Sequence, residues 1–124
     1  MISKTFMLNL RERPFKAIVA GRKKVEIRPN KYIFEGNSVN LMRAGDTVIF
    51  TNEVTQEKIE CVIERIMLYQ TVRELLLTEG TTQTLSSTSN LEEGIQSIES
   101  FPNYIELIKK NGVFAIRLKE VRQI

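Results

Sequence analysis

The sequence predicts an α+β fold, a small mixed-strand barrel or strongly bent sheet with helices packed at its ends. Two observations carry that expectation: strand patterns dominate both ends of the chain, and helical patterns fall after the first strand and before the last. With 124 residues and 42% hydrophobic content, the chain is sized for one domain, residues 1–124, around an ordinary core.

Thr5 to Leu10 reads as a strand with Phe6, Leu8 and Leu10 on one face. Pro14-Phe15 then opens a short helix bearing Phe15, Ile18 and Val19, with Gly21 as its C-cap. A second strand runs from Lys24 to Arg28 and stops at Pro29-Asn30. Residues 30–45 are polar, with turn signals at Gly36-Asn37 and Ala44-Gly45-Asp46. Thr47–Thr51 and Lys58–Tyr69 follow as strands, and their short connection predicts an antiparallel pair. Thr71 with Glu74 fits an N-cap for a helix carrying Val72, Leu75, Leu76 and Leu77. The Ser/Thr-rich stretch from Thr78 to Asn90 is the expected mobile loop or lid. Asn90 or Ser89 caps a helix with Leu91, Ile95 and Ile98, a further helix runs from Pro102 to Lys110, and Val113–Lys119 closes the domain as a strand.

Composition excludes several chemistries. The chain has no histidine and a single cysteine, Cys61, flanked by Val62 and Ile63 and so expected to be buried. An intrachain disulfide, His/Cys zinc sites and His-based catalytic triads are therefore absent, and neither a metal nor a cofactor is expected. The alternating N-terminus lacks an apolar signal core or a membrane-spanning run, which makes the cytoplasm the expected compartment. The net charge of +3 permits a polyanionic partner without requiring one. Its distribution is uneven: residues 1–31 hold nine cations against two carboxylates, +7, leaving −4 for the remainder.

The densest cluster is GRKKVEIRPN, Gly21 to Asn30. On a strand Lys24, Glu26 and Arg28 share one face while Val25 and Ile27 pack inward, and Lys23 joins the polar face only from a turn before the strand. Such a group can bind a phosphate through its cations while the carboxylate accepts from a base or sugar. It can equally be a row of solvent-facing charges stabilised by cross-strand pairs, and residue chemistry alone favours this second reading.

The string Gly21-Arg22-Lys23-Lys24-Val25-Glu26-Ile27-Arg28 fits G-x-K-x-x-E-x-R, the pattern of ASCH domains, which resemble the PUA fold. The chain is similar to that family along nearly its whole length, through LNLRERPFKAIVAG, the Gly45-Asp46 turn of RAGDTVIFTN and the closing GVFAIRLK. The resemblance implies a small PUA-like β-barrel with a cleft lined by Lys23, Glu26 and Arg28, into which Gly21 turns the chain. For the family that cleft is proposed to bind or modify RNA. Some small ASCH proteins resemble amidohydrolases that deacetylate N-acetylcytidine with a lysine, a threonine and a glutamate. Lys23 matches the lysine, Glu26 stands where the threonine would be, and Glu79 is the candidate for the glutamate.

Ligand-binding candidates are thus Gly21, Lys23, Lys24, Glu26 and Arg28, with Tyr32 as a stacking platform, while Phe34 is assigned to the core. Arg11 and Arg13 are possible extensions of the basic surface, against a solvated-turn reading that is preferred for Arg13. Weighing the resemblance with the charge grouping, the expected function is binding of RNA or a nucleotide-like ligand. The alternative is a small metal-independent hydrolase acting on a modified nucleoside or on RNA, with Lys23, Glu26 and Glu79 as catalytic candidates. A protein-interaction domain with a protein partner ranks third.

Overall fold

Among the described residues, alternating apolar residues commit five segments to strands: β1 (Thr5–Leu10), β2 (Val25–Pro29), β3 (Thr47–Asn52), β4 (Lys58–Tyr69) and β5 (Val113–Gln123). Five helices complete the described residues of the computed structural model: α1 (Glu12–Val19), α2 (Val72–Glu79), α3 (Thr81–Thr84), α4 (Leu91–Glu99) and α5 (Tyr104–Asn111). The structure describes residues 3–30 and 42–124. The Gly36-Asn37 turn, Tyr32 and Phe34 lie outside the described residues.

The strands form one mixed sheet in the order β1-β3-β4-β5-β2, curled into a half-barrel. β1 pairs with β3 in parallel, and every other pairing is antiparallel. The first two strands in the chain therefore occupy opposite edges of the sheet, and α1 carries the chain from one edge to the other. Across an antiparallel pair, opposed residues share a face. Glu26 lies opposite Ile116 and Arg28 opposite Phe114, whereas Ile27 lies opposite Ala115. Ile116 belongs to the core that Phe6, Phe15, Ile18, Phe50 and Ile63 build. Ala115 belongs to a second core, made with Val25, Leu75, Leu76, Ile98 and Ile108 under the later helices. The sheet is thus covered on both faces, and Glu26 projects from β2 on the side where α1 plugs the half-barrel.

Several boundaries depart from expectation. α1 starts at Glu12, because Pro14 in the first turn lacks only an N–H that no helical carbonyl would have accepted. In that helix Ala17 is buried while Val19 is 44% exposed, so the apolar stripe is shifted by one position. β2 includes Pro29, which an edge strand tolerates since it needs no second partner. Of residues 78–90, Thr78 and Glu79 finish α2 and Thr81–Thr84 form α3, with Thr84 only 1% exposed, while residues 85–90 continue as a connection without helix or strand. The caps at Thr71 and Asn90 form as read, each accepting from the backbone N–H three residues on. Asp46 closes its turn by accepting from the N–H groups of Lys4 and Arg43, both at 2.9 Å.

Two glycines mark where chain direction is fixed. Gly112, between α5 and β5, has φ +86°, and a Cβ there would stand 2.8 Å from the Tyr69 carbonyl oxygen. Gly21 has φ +79° and open space around it. Left-handed backbone costs an L-residue about 1–2 kcal/mol. Gly21→Ala should therefore lose about 1 kcal/mol in urea unfolding, and Gly112→Ala distinctly more, since strain and backbone collision add. Equal losses would contradict this packing.

Candidate functional site

The end of α1 delivers the first site residue. Gly21 donates to Ile18 O (3.1 Å), while the N–H groups of Arg22 and Lys23 both donate to Ala17 O (3.0 and 3.1 Å). This left-handed helix ending satisfies the terminal carbonyls and reverses the chain. Lys23 consequently sits in the turn ahead of β2, free of strand alternation, and its side chain enters the protein although Arg22 and Lys24 on either side are exposed.

Lys23 and Glu26 are each 6% exposed. The Lys23 ammonium donates to Val25 O at 2.7 Å and Thr84 O at 2.6 Å, and its Nζ lies 3.4 Å from Glu26 Oε1. The other Glu26 oxygen, Oε2, accepts from Arg28 Nε at 2.8 Å. Arg28 Nη2 then donates to Asn9 O on β1, at 2.7 Å. Lys23, Glu26 and Arg28 form a continuous polar chain that links α3 to the edge strands β1 and β2 and carries one net positive charge.

The environment sets the protonation of this chain. Burial pushes the Lys23 ammonium below its ordinary value of 10.5, and nearby Arg28 adds to that; Glu26 pulls the other way without prevailing. For Glu26, burial alone would raise the carboxyl, but the attraction of Arg28 and Lys23 and their hydrogen bonds together hold it below 4.5. Cys61 plays no part here: burial pushes its thiol up to about 12.

This chain forms one wall of an open cleft of about 660 Å³ at the seam between the two sheet edges. Asn9 and Leu10 of β1 and Ile27 of β2 line it, as do Arg11, Arg13 and the carboxylate-bearing Glu53. Four cations against two carboxylates give the lining a net charge of +2, which suits an anion. Ser86 and Ser87, just after α3, complete another side.

Of the expected site residues that are described, the structure assembles Lys23, Glu26 and Arg28 and separates Gly21, Lys24 and Glu79 from them. Gly21 supplies the turn and does not line the cleft. Lys24 is exposed outside it, its backbone N–H bonded to Gln83 O at 2.9 Å. Glu79 is buried elsewhere, held bidentate by Arg65 at 2.9 and 2.7 Å and bonded by the Tyr69 hydroxyl. Burial raises its carboxyl, but those bonds hold it below its ordinary range overall. Two aromatic residues that sequence reading passed over, Phe101 and Tyr104, also line the cleft. The signal for them was the F-P-N-Y tetrapeptide, read as the start of a helix. Among the described residues no His, Cys, Asp or Glu cluster has the makings of a metal site.

The ASCH domain model matches residues 8–122, and the chain belongs to the ASCH domain family. The solved structures agree. The hypothetical protein PH0355 superposes with a TM-score of 0.75 at 29% identity, covering 97% of this chain and 99% of that one. Protein PF0455 from Pyrococcus furiosus gives 0.66 at 27% identity, with 97% of each chain covered. A serine-to-alanine mutant of ZmASCH from Zymomonas mobilis gives 0.64 at 19% identity over 97% of this chain and 70% of that one, a likeness of fold. No curated protein matches.

The native carboxyl of Glu26 lies below its unfolded value of 4.5, so the stability it contributes is complete above that pH and is lost as pH falls through the native value. Replacing it strands two buried or half-buried cations. Glu26→Gln should cost about 3 kcal/mol at pH 7. It should also flatten the decline of melting temperature between about pH 5 and pH 3. An unchanged acid slope in the variant would contradict the assigned ion pairs.

Proposed function

We propose that this ASCH domain binds RNA or a nucleotide-like ligand in the cleft at the barrel seam, with Lys23, Glu26 and Arg28 as its polar wall. The observation that supports this most is a fixed, desolvated chain of cation, carboxylate and cation opening on a cleft of net positive charge. Arg28 spends Nε on Glu26 and Nη2 on Asn9, and Nη1 makes no hydrogen bond among the described residues. It has capacity left for a phosphate or sugar oxygen. Glu26 has one partner on each oxygen, and a carboxylate accepts more than two, so it can also take a donor from a base or ribose. The pairing of Glu26 with two cations keeps it ionised, which preserves that acceptor role at neutral pH. No helix among the described residues is long and apolar enough to cross a membrane, and we place the activity in the cytoplasm.

The second reading, hydrolysis of an N-acetylcytidine-type nucleoside or of RNA, has one observation in its favour: burial moves Lys23 toward a neutral, basic amine. Against it, the ammonium is engaged by Val25 O, Thr84 O and Glu26, and Glu79 lies outside the cleft. A fixed charge that orients ligand accounts for Lys23 with fewer requirements. Incubation with N-acetylcytidine separates the two readings. Binding alone leaves the nucleoside intact, and acetate release that disappears in Lys23→Met would make the protein a hydrolase.

Short single-stranded RNA should bind saturably, with affinity falling as salt rises. Arg28→Ala is expected to weaken binding about tenfold and to lower the salt slope by about one unit, read by fluorescence anisotropy across a salt series. Salt-independent binding, or none, would overturn the proposal.

A further inference from the structure

Another part of the cleft lining is built around one turn. Phe101, Pro102, Asn103 and Tyr104 join α4 to α5, and the Tyr104 N–H donates to Phe101 O at 3.1 Å. Asn103 has φ 67° and ψ 0°. Proline second and a left-handed asparagine third are the residues a type II turn asks for. This turn fixes two aromatic side chains at its first and fourth positions, with ring centroids 5.0 Å apart and planes inclined by 34°. The Arg11 guanidinium lies over the Phe101 ring, 4.7 Å from its centroid.

Phe101 is placed unlike the other described aromatics. It belongs to neither hydrophobic core, is only half-buried and borders the cleft. Tyr104 packs against the second core with one side and faces the cleft with the other. Burial raises the Tyr104 hydroxyl, and Arg28, Glu26 and Arg11 all act on it electrostatically, which places this ring within range of the polar chain.

Building on the RNA-binding reading above, we infer that Phe101 and Tyr104 form a stacking subsite for one unpaired nucleobase, with Arg11 covering it in the free protein. The base takes the place of the guanidinium on Phe101, an exchange of one flat, weakly held partner for another. Displaced Arg11 stays within the cleft and pairs with the phosphate that accompanies the base. The hydrogen-bonding edge of the base then faces the wall that carries Glu26. A paired base is already stacked on both faces, so the subsite selects single strands over duplexes.

The test compares a short single-stranded oligouridylate, its abasic counterpart and a duplex RNA of the same length. Binding is measured to wild type, Phe101→Leu and Tyr104→Ala, with the aromatic side-chain NMR signals followed in wild type. Phe101→Leu keeps an apolar side chain at a position outside both cores, so it is expected to fold. The single strand should bind wild type about tenfold more tightly than the other two probes and shift the Phe101 and Tyr104 ring signals upfield. Phe101→Leu should remove most of that preference, bringing the single strand close to the abasic probe. Equal binding of all three probes overturns the stacking subsite while leaving the RNA-binding reading in place, as does a single-strand preference that survives both substitutions. Failure of every probe to bind overturns both.

Discussion

Much of this structure depends on how three charges are kept out of water together. Moving an isolated carboxylate or ammonium into a protein interior costs several kcal/mol, and the penalty is met only when partners satisfy it from several directions. Glu26 has those partners, with Lys23 on one oxygen and Arg28 on the other. Lys23 in turn needs the carbonyls of Val25 and Thr84, and Arg28 needs that of Asn9. Those carbonyls come from β2, α3 and β1, so the charged chain can exist only when three separate parts of the fold are in register.

The same requirement explains why the sheet stays open and yet holds its edges together. β1 and β2 are edge strands, and exposed edges are a liability in any sheet. Here the Arg28 guanidinium reaches across and supplies to Asn9 O a donor of the kind a neighbouring strand would offer. α1 fills the half-barrel behind the seam with Phe15, Ala17 and Ile18. A closed barrel would bury this polar chain without access. The seam leaves it beside solvent, in one cleft with Arg11 and the aromatic pair.

Strand and helix identities were largely legible because their apolar periods are strong and their caps explicit, as Thr71 and Asn90 show. The pairing of Lys23, Glu26 and Arg28 was legible through the family pattern, and the escape of Lys23 from strand parity through Gly21. Strand alternation misplaced Lys24, since it could not say that β2 begins only at Val25. The first half of the Ser/Thr-rich stretch looked like loop on composition, but a tertiary demand orders it as helix: Thr84 O accepts from the buried Lys23 ammonium, and Lys24 N–H bonds Gln83 O. Glu79 lies 14 residues from Arg65 and 10 from Tyr69, and nothing in local spacing foretells that they meet. Phe101 was hidden for the opposite reason. Its turn chemistry was visible, but which surface the turn would face is decided by how α4 and α5 pack.

The central claim is that ligand meets the buried polar chain itself, and does not merely gather on exposed cations elsewhere. Side-chain NMR of the Arg28 Nε–H and the Lys23 ammonium during titration with short single-stranded RNA addresses it directly. Both groups are paired with Glu26, through Arg28 Nε at 2.8 Å and Lys23 Nζ at 3.4 Å. The account predicts saturable shifts at these two groups while the exposed pair Lys109 and Lys110, at the end of α5, stays unchanged. Shifts confined to Lys109, Lys110 and other surface cations, with Arg28 and Lys23 unmoved at saturation, would contradict it.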